Sequence, residues 1–262
     1  GGTAGRTTLN GEGLQHQDGH SLVNAMAFPT VRAYDPAYAY ETAVIIFEGL
    51  KRLYVENETA IYYITLENEN YLMPEMPAGC EAGIIRGMYQ VSSTKAPGER
   101  VQLFGSGPIL REALRAAEIL AEKYDVASDI WSVTSYNELR RDAQECQRWN
   151  MLNPGKQPRR SYVEEQLDGV EGPVIAATDY MRVLAEQIDP WVPGGLFALG
   201  TDGMGRSESR EALRRHFEVD AECIVVATLY QLSKQGKIET KKVTKAIKDL
   251  EIDPEKTSAL YA

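Results

Sequence analysis

The sequence predicts an α/β fold in which helices cover both faces of a mostly parallel sheet. First, strand-like and helix-like stretches alternate along most of the chain. Second, the strand-like stretches are short and rich in β-branched or aromatic residues, as in AIYYITL at residues 60–66. Third, apolar residues between them recur every three or four positions, which is typical of helices with one apolar side.

The front of the chain predicts one parallel crossover unit. After an apolar stretch at residues 22–28, a short strand is predicted over 31–34 and a turn at Asp35-Pro36. A helix is predicted over residues 37–54, and residues 60–66 have the composition of a buried strand. Strand, helix and strand in this order form a parallel crossover. The helix is indicated by an apolar stripe at Ala43, Ile46, Phe47, Leu50 and Leu53.

A domain boundary is predicted at Tyr71–Gly79, which contains two prolines and a glycine. Proline removes a backbone donor and fixes one dihedral angle, so regular structure is not expected to run through this stretch. The expected domains are residues 1–72 and 79–262. The first is too short to close a sheet, and we expect it to be the end of a domain that begins upstream.

The second part repeats the strand–helix rhythm. Asp179 is a plausible N-cap for one of its helices, and Ser207 or Ser209 for another. The predicted strands are 101–104, 130–133, 174–177 and 196–199. The predicted helices are 108–123, 137–150, 180–188, 211–216, 221–234 and 240–250.

Composition excludes several classes of function. The chain has 262 residues and a formal net charge of −10, which argues against a nucleic-acid partner and against an anionic membrane surface. Three scattered cysteines without a CxxC pair indicate neither a zinc cluster nor a disulfide framework and fit a reducing cytoplasm. The given N-terminus lacks the charged-then-apolar pattern expected of a secretion signal, and no apolar run reaches the ~18 residues that a membrane span needs. Because an initiator Met is absent, we expect a processed chain or a piece of a longer one.

The residues that point most directly to chemistry lie in Gly1–Ser21, which holds six glycines and two of the three histidines. Glycine permits close approach of the backbone to a ligand, and His16, Asp18 and His20 lie within five residues. Imidazoles in a glycine-rich cleft suit hydrogen bonding and proton transfer near neutral pH. The alternative is an exposed, mobile N-terminus that happens to hold histidines. A metal site is not predicted, because the glycines oppose a helix and further ligands are missing.

Other stretches give weaker signals. Gly105-Ser106-Gly107 follows a strand and opens a helix, but the third glycine of a dinucleotide fingerprint is missing, so a tight turn is the preferred interpretation. Asp202 at a strand end lacks the later Asn that a metal–diphosphate site needs. Glu67, Glu69 and Asn70 follow a strand end, where they are either ligand contacts or a polar rim at the domain junction.

Several motifs together resemble one enzyme family, the homodimeric pyruvate dehydrogenase component. This is the thiamine-diphosphate-dependent, decarboxylating first enzyme of the bacterial pyruvate dehydrogenase complex, and it is more distantly related to transketolases. The resemblance runs end to end and begins with its histidine-bearing loop. The matching segments are Gly11–Ser21 (GEGLQHQDGHS), Tyr34–Glu41, Asn68–Tyr71, Met73–Pro77, Trp131–Ser135, Arg148–Leu152, Thr178–Met181, Gly200–Gly203 and His216–Ala221.

The resemblance implies a transketolase-like fold, with the end of the middle, pyrimidine-binding domain followed by a C-terminal α/β domain. It implies that thiamine diphosphate and Mg²⁺ are bound mainly by residues outside this chain, in the upstream half of the enzyme or in a companion chain. The implied reaction decarboxylates pyruvate and reductively acetylates the lipoyl group of dihydrolipoyl acetyltransferase. A homodimer is implied as well.

The resemblance also assigns roles in the loop. His16 matches the family histidine that faces the cofactor–substrate adduct, with His20 as second choice, and Gln15 and Asp18 would brace the loop. Two alternatives stay open: a non-catalytic assembly or dimerisation partner with the same fold, and a related enzyme for another 2-oxo acid or a ketose phosphate.

Overall fold

A computed structural model describes residues 4–262. Its strands are β1 (Val31–Tyr34), β2 (Ile61–Ile64), β3 (Tyr89–Ser93), β4 (Arg100–Gly105), β5 (Ala127–Ser132), β6 (Val174–Ala177) and β7 (Leu196–Leu199). Its α-helices are α1 (Ser21–Ala25), α2 (Ala39–Tyr54), α3 (Glu81–Arg86), α4 (Leu110–Tyr124), α5 (Tyr136–Leu152), α6 (Tyr162–Gln166), α7 (Val183–Glu186), α8 (Arg210–Phe217), α9 (Ala221–Lys234) and α10 (Thr240–Asp249). Within this range no helix is long and apolar enough to cross a membrane.

The strands form two sheets. Strands β1 and β2 make a parallel pair. The larger sheet has the order β3-β5-β4-β6-β7, in which all pairs are parallel except the edge strand β3, which runs antiparallel to β5. The predicted α/β class with a mostly parallel sheet is therefore confirmed. Strand β3 was not predicted, because its polar YQVSS pattern, typical of an edge strand with one exposed side, lacks the apolar run of a buried strand.

The larger sheet is covered on both faces because side chains along each strand alternate in direction. Val101 and Leu103 of β4 belong to a core with α4, α8, α9 and α10. Phe104 of the same strand packs on the other side, in a core that includes residues of α5, α6 and α7. The two apolar faces explain why strands such as β6 are buried at every position.

Helix α2 confirms the predicted helix, but its apolar stripe is not the side that packs against the chain. Ile45 and Gly49 are buried, whereas Phe47 is 75% and Tyr54 is 78% exposed. Strand β2 was predicted to be buried and is not, since Ile61 is 62% exposed. Within residues 4–262, the two-stranded sheet and α2 leave this apolar side uncovered.

One predicted helix is shorter than expected. Residues 180–188 were predicted to be helical with Asp179 as the cap, but α7 begins only after Arg182 and ends at Glu186. Asp179 is instead buried and binds a distant backbone amide, so a tertiary contact replaces the local cap. For α8 the cap is Ser209, whose side chain accepts a hydrogen bond from the amide of Ala212.

The stretch around the predicted boundary has no regular structure, since residues 65–80 form neither helix nor strand. The segments before and after this stretch are nevertheless in contact. The amide of Asp35 donates to the carbonyl of Thr134 at 2.8 Å, and the Ser135 hydroxyl donates to the carbonyl of Ala33 at 2.6 Å. The division into domains at residues 72 and 79 stays a prediction.

Candidate functional site

The candidate site lies where the carboxyl ends of the two sheets meet. Asp35 directly follows β1, and Thr65 directly follows β2 and donates to the Asp35 Oδ1 at 2.6 Å. Gly107, beyond the end of β4, donates its amide to the Asp35 carbonyl at 3.1 Å. This edge of a parallel sheet is where ligands of α/β proteins commonly bind. Residues 4–20, which we call the N-terminal loop, lie against it.

Asp179, just after β6, anchors the N-terminal loop. Its Oδ2 accepts the amide of Thr7 at 3.1 Å. Gly5 has a φ of +79°, and a Cβ built on it would collide with the same carboxylate oxygen. Glycine is therefore required here both for the backbone conformation and for the close approach. Residues 4–9 are buried, so this part of the N-terminal loop is not exposed, unlike the part that holds the histidines.

Helix α8 holds the loop from a second side. The Arg210 Nε donates to the carbonyl of Thr8 at 2.7 Å, and the Arg214 Nε donates to the Thr7 hydroxyl at 3.3 Å. The buried Arg214 guanidinium also pairs with Glu69 and Glu112. Because a buried cation needs opposite charges, these pairs fix the side chain that supports the loop.

Arg6 connects the buried part of the loop to its histidines. The side chain is 1% exposed and donates to the carbonyl of Gly203, and its guanidinium carbon lies 5.8 Å from the centre of the Phe217 ring. Its Nη2 lies 3.1 Å from the Nε2 of His20. A Cβ on Gly19 would collide with this guanidinium. Arg6 thereby restrains the position of His20.

The histidine end of the loop points towards solvent. His16 closes a 3-10 turn at Leu14–His16 and is exposed, as are Gln15 and His20. Asp18 holds the backbone at His20 and Ser21, because its Oδ1 accepts the amides of these two residues at 3.0 and 2.9 Å. The structure thus brings His20 to Arg6 and supports the loop through Asp18. The catalytic roles of His16 and His20 stay predictions.

Behind the loop lies a cluster of three carboxyl groups, Asp35, Glu67 and Asp179, which we call the carboxyl cluster. Burial raises the pKa of Asp179 to about 7 and also raises that of Asp35. Burial, followed by the charges of Asp35 and Asp179, raises the pKa of Glu67 well above its ordinary value. At neutral pH the cluster therefore retains protons that exposed carboxyl groups would release.

Sequence reasoning found only part of this cluster. Glu67 was named as a ligand contact or rim residue, whereas Asp35 was assigned to a turn and Asp179 to a helix cap. The partners of Asp179 lie more than 170 positions away along the chain, so local pattern could not reveal them. Glu69, named beside Glu67, pairs with Arg111 at 2.7 Å and with Arg214.

The turn at Gly105-Ser106-Gly107 packs closely rather than opening to a ligand. A Cβ on Gly105 would lie 3.1 Å from the backbone nitrogen of Leu110, and one on Gly107 would lie 2.8 Å from the Asp35 Oδ1. Glycine lets strand β4 turn directly into the helical segment against the Asp35 carboxyl group. This geometry agrees with the tight turn preferred from the sequence.

Among residues 4–262, no group of three or more His, Cys, Asp or Glu side chains is arranged to hold a metal ion. The carboxyl cluster is therefore not a candidate metal site.

Two known families match the sequence. The family described as pyruvate dehydrogenase E1 component middle domain matches residues 1–74, and the transketolase-like C-terminal domain matches residues 87–220. The pyruvate dehydrogenase E1 component of Pseudomonas aeruginosa is 55% identical over 262 residues, and that of Escherichia coli strain K12 is 53% identical over 264. These alignments cover 99% and 100% of this chain. The chain spans about 30% of the length of each relative.

Solved structures show the same fold at low identity. A transketolase from Leishmania mexicana superimposes with a TM-score of 0.62 at 18% identity, covering 88% of this chain and 30% of that one. A split-gene transketolase described as an inactive β4 tetramer gives a TM-score of 0.57 at 16% identity, covering 84% of this chain and 64% of that one.

Proposed function

The chain belongs to the transketolase-like family and corresponds to the C-terminal part of pyruvate dehydrogenase E1 components, and from this premise we propose its function. It forms part of an acetyl-transferring pyruvate dehydrogenase, which decarboxylates pyruvate and reductively acetylates the lipoyl group of dihydrolipoyl acetyltransferase. The observation that carries this proposal is the 55% identity to an E1 component across nearly the whole chain, including the N-terminal loop.

Within that enzyme we assign His16 to the substrate. Its exposed imidazole is free to hydrogen-bond the oxygen or carboxylate of the substrate and to pass a proton. His20 is the second candidate, because its Nε2 faces a buried arginine and its ring is exposed on the same loop. Asp18 accepts the backbone amide of His20, and Gln15 lies beside His16 in the turn.

The cofactors of the proposed reaction are thiamine diphosphate and Mg²⁺. When bound, thiamine diphosphate supplies the carbon nucleophile that makes decarboxylation of a 2-oxo acid possible. We propose that both are held mainly outside this chain, in the upstream half of the enzyme or a companion chain. The contribution of this chain is to hold the N-terminal loop and to orient its imidazoles.

The exposed apolar side of α2, formed by Ile46, Phe47, Leu50 and Tyr54, supports the proposed upstream partner. Contiguous exposed apolar side chains usually mark an interaction surface. We propose that another part of the same enzyme covers it. We further propose that the complete enzyme is a homodimer in the cytoplasm and receives the lipoyl domain of the acetyltransferase.

One observation favours a non-catalytic role. The apolar core between the larger sheet and helices α4 and α9 is complete without any candidate catalytic residue. In that alternative the chain serves only assembly or dimer contacts. A related enzyme for another 2-oxo acid or a ketose phosphate differs only in the substrate.

The test uses purified full-length enzyme that contains this chain, supplied with thiamine diphosphate, Mg²⁺ and lipoylated acetyltransferase domain. We expect turnover with pyruvate to exceed that with longer 2-oxo acids or ketose phosphates by at least about tenfold in kcat/KM, a difference of about 1.4 kcal/mol. Equal turnover of another substrate would exclude the pyruvate assignment, and no turnover of any would favour the assembly role.

A further inference from the structure

We propose that Asp35 and Glu67 share one proton beneath the N-terminal loop, and that this hydrogen-bonded pair, which carries a single negative charge, holds the loop in place so that His16 is presented to the substrate. Asp35 and Glu67 are thus positioning residues, and the N-terminal loop moves away from them when the shared proton is lost. The consequence for catalysis rests on the proposed function, whereas the shared proton does not.

The hydrogen bonds around Asp35 and Glu67 leave carboxyl oxygens without a donor, so one proton can be held between the two groups. Asp35 uses Oδ1 to accept from Thr65, but its buried Oδ2 has no partner in the part of the chain that the structure describes. Both buried carboxyl oxygens of Glu67 also lack a donor among these residues, and the Asp35 and Glu67 carboxyl groups are close enough to hydrogen-bond once one of them is protonated. A proton on Glu67 supplies the donor that Asp35 Oδ2 lacks.

The charges around the pair give no other compensation. From α2, Glu41 adds a further negative charge, and the phenols of Tyr71, Tyr136 and Tyr180 face the pair in their neutral form, since burial raises the pKa of each. Two ionised carboxylates at hydrogen-bonding distance in this environment would repel each other strongly. Burial accordingly raises the pKa of Glu67, and the nearby Asp35 charge raises it further.

The two cations near the cluster are engaged elsewhere. Arg214 contributes a favourable charge to Asp179, but its guanidinium pairs with Glu69 and Glu112. Arg6 feels the charge of Asp179 and donates to the carbonyl of Gly203. Neither arginine is hydrogen-bonded to Asp35 or Glu67 in the described structure.

The loop rests directly on the cluster, so its position depends on the cluster's charge. Thr8 lies beside Glu67 while its hydroxyl donates to the carbonyl of Ala4 at 2.7 Å, and Thr7 donates its amide to Asp179 at 3.1 Å. Loss of the shared proton places an additional charge in the pair beside Asp179. Repulsion then separates the carboxyl groups and displaces the backbone that is packed against them.

The test compares wild-type full-length enzyme with Glu67→Gln by hydrogen exchange of the peptide that covers residues 4–20, without substrate. The neutral amide imitates protonated Glu67 and can still donate to Asp35. Between about pH 6 and about pH 9, we expect loop protection in the wild type to fall at least about tenfold relative to Glu67→Gln. Intrinsic exchange rises equally in both proteins and cancels. Asp35→Asn is expected to show the same weak pH dependence of loop protection as Glu67→Gln. It replaces Glu67→Gln in the test if that variant does not fold.

The control is Glu75→Gln, which alters an exposed carboxylate outside the cluster and should retain the wild-type pH dependence. Infrared spectra should show a protonated carboxyl band near neutral pH that is weaker in Glu67→Gln, because Asp179 contributes to it in both proteins. In the activity assay, Glu67→Gln should flatten the alkaline fall in kcat while leaving KM near its wild-type value.

Three results would overturn the inference: the same pH dependence of loop protection in wild type and both variants, no protonated carboxyl band in the wild type, or protection at alkaline pH that depends on which monovalent cation is present. The last result would mean that a cation rather than a proton balances the charge. Because exchange is measured without turnover, failure of the pyruvate assay leaves this test intact.

Discussion

Gly5 shows how little freedom the N-terminal loop has. Its φ of +79° is a conformation that other residues adopt only with strain, and the neighbouring Asp179 carboxylate leaves no room for a Cβ. Gly19 is restricted in the same way by Arg6. In the sequence these glycines suggested close approach to a ligand. Here they allow the loop to approach side chains of its own chain, and the histidines lie at its outer end.

Replacement of Gly5 by alanine should therefore release the loop. Gly236→Ala is a matched control, because Gly236 has a φ of +72° but nothing within 4 Å of a new Cβ. The control carries backbone strain of about 1 kcal/mol, and Gly5→Ala adds the collision, about 1–3 kcal/mol more. We expect hydrogen exchange of residues 4–9 to be at least about tenfold faster in Gly5→Ala than in Gly236→Ala. Equal exchange in the two variants would show that Asp179 does not restrain the loop.

Helix α2 shows what periodicity can and cannot predict. The apolar stripe correctly predicted a helix, but the buried side is the other one, where Glu41 accepts the amides of Ala37 and Tyr38 at 2.5 and 3.0 Å. Glu41 also accepts hydroxyl groups from Tyr89 and Ser132 at 2.6 Å. A carboxylate with four donors can be buried, so polarity alone did not identify the outer side.

The exposed stripe makes its own prediction. Phe47→Asp places a charge in the exposed apolar stripe of α2, which we propose is covered in the complete enzyme. We expect the full-length variant to lose at least about tenfold in assembly or in stability, corresponding to about 1.4 kcal/mol or more. Tyr261→Asp changes another exposed aromatic residue, 82% accessible, and should have little effect. Sedimentation would measure assembly of the two variants, and thermal unfolding would measure their stability. If Phe47→Asp changed neither, the apolar stripe of α2 would be solvent-exposed in the complete enzyme.

For the whole chain, the alternation of strands and helices was enough to predict the α/β class, the four parallel strands of the larger sheet and most helix positions. What failed depends on contacts between distant residues. The edge strand β3 pairs with β5 some forty positions later, and Asp179 binds the amide of Thr7. The carboxyl cluster likewise joins strand ends that are far apart in sequence. The histidine loop was identified by its resemblance to a family, and its geometry required the structure.

The most direct measurement is steady-state turnover of pyruvate by the assembled full-length enzyme carrying His16→Ala. If the loop presents this imidazole to the substrate, turnover falls at least about 100-fold, the lower range for loss of a proton-transfer group. Asn24→Ala, an exposed residue of α1 just after the loop, should retain wild-type activity. A folded His16→Ala enzyme with turnover within a few-fold of wild type would contradict the assignment of His16 to the reaction centre.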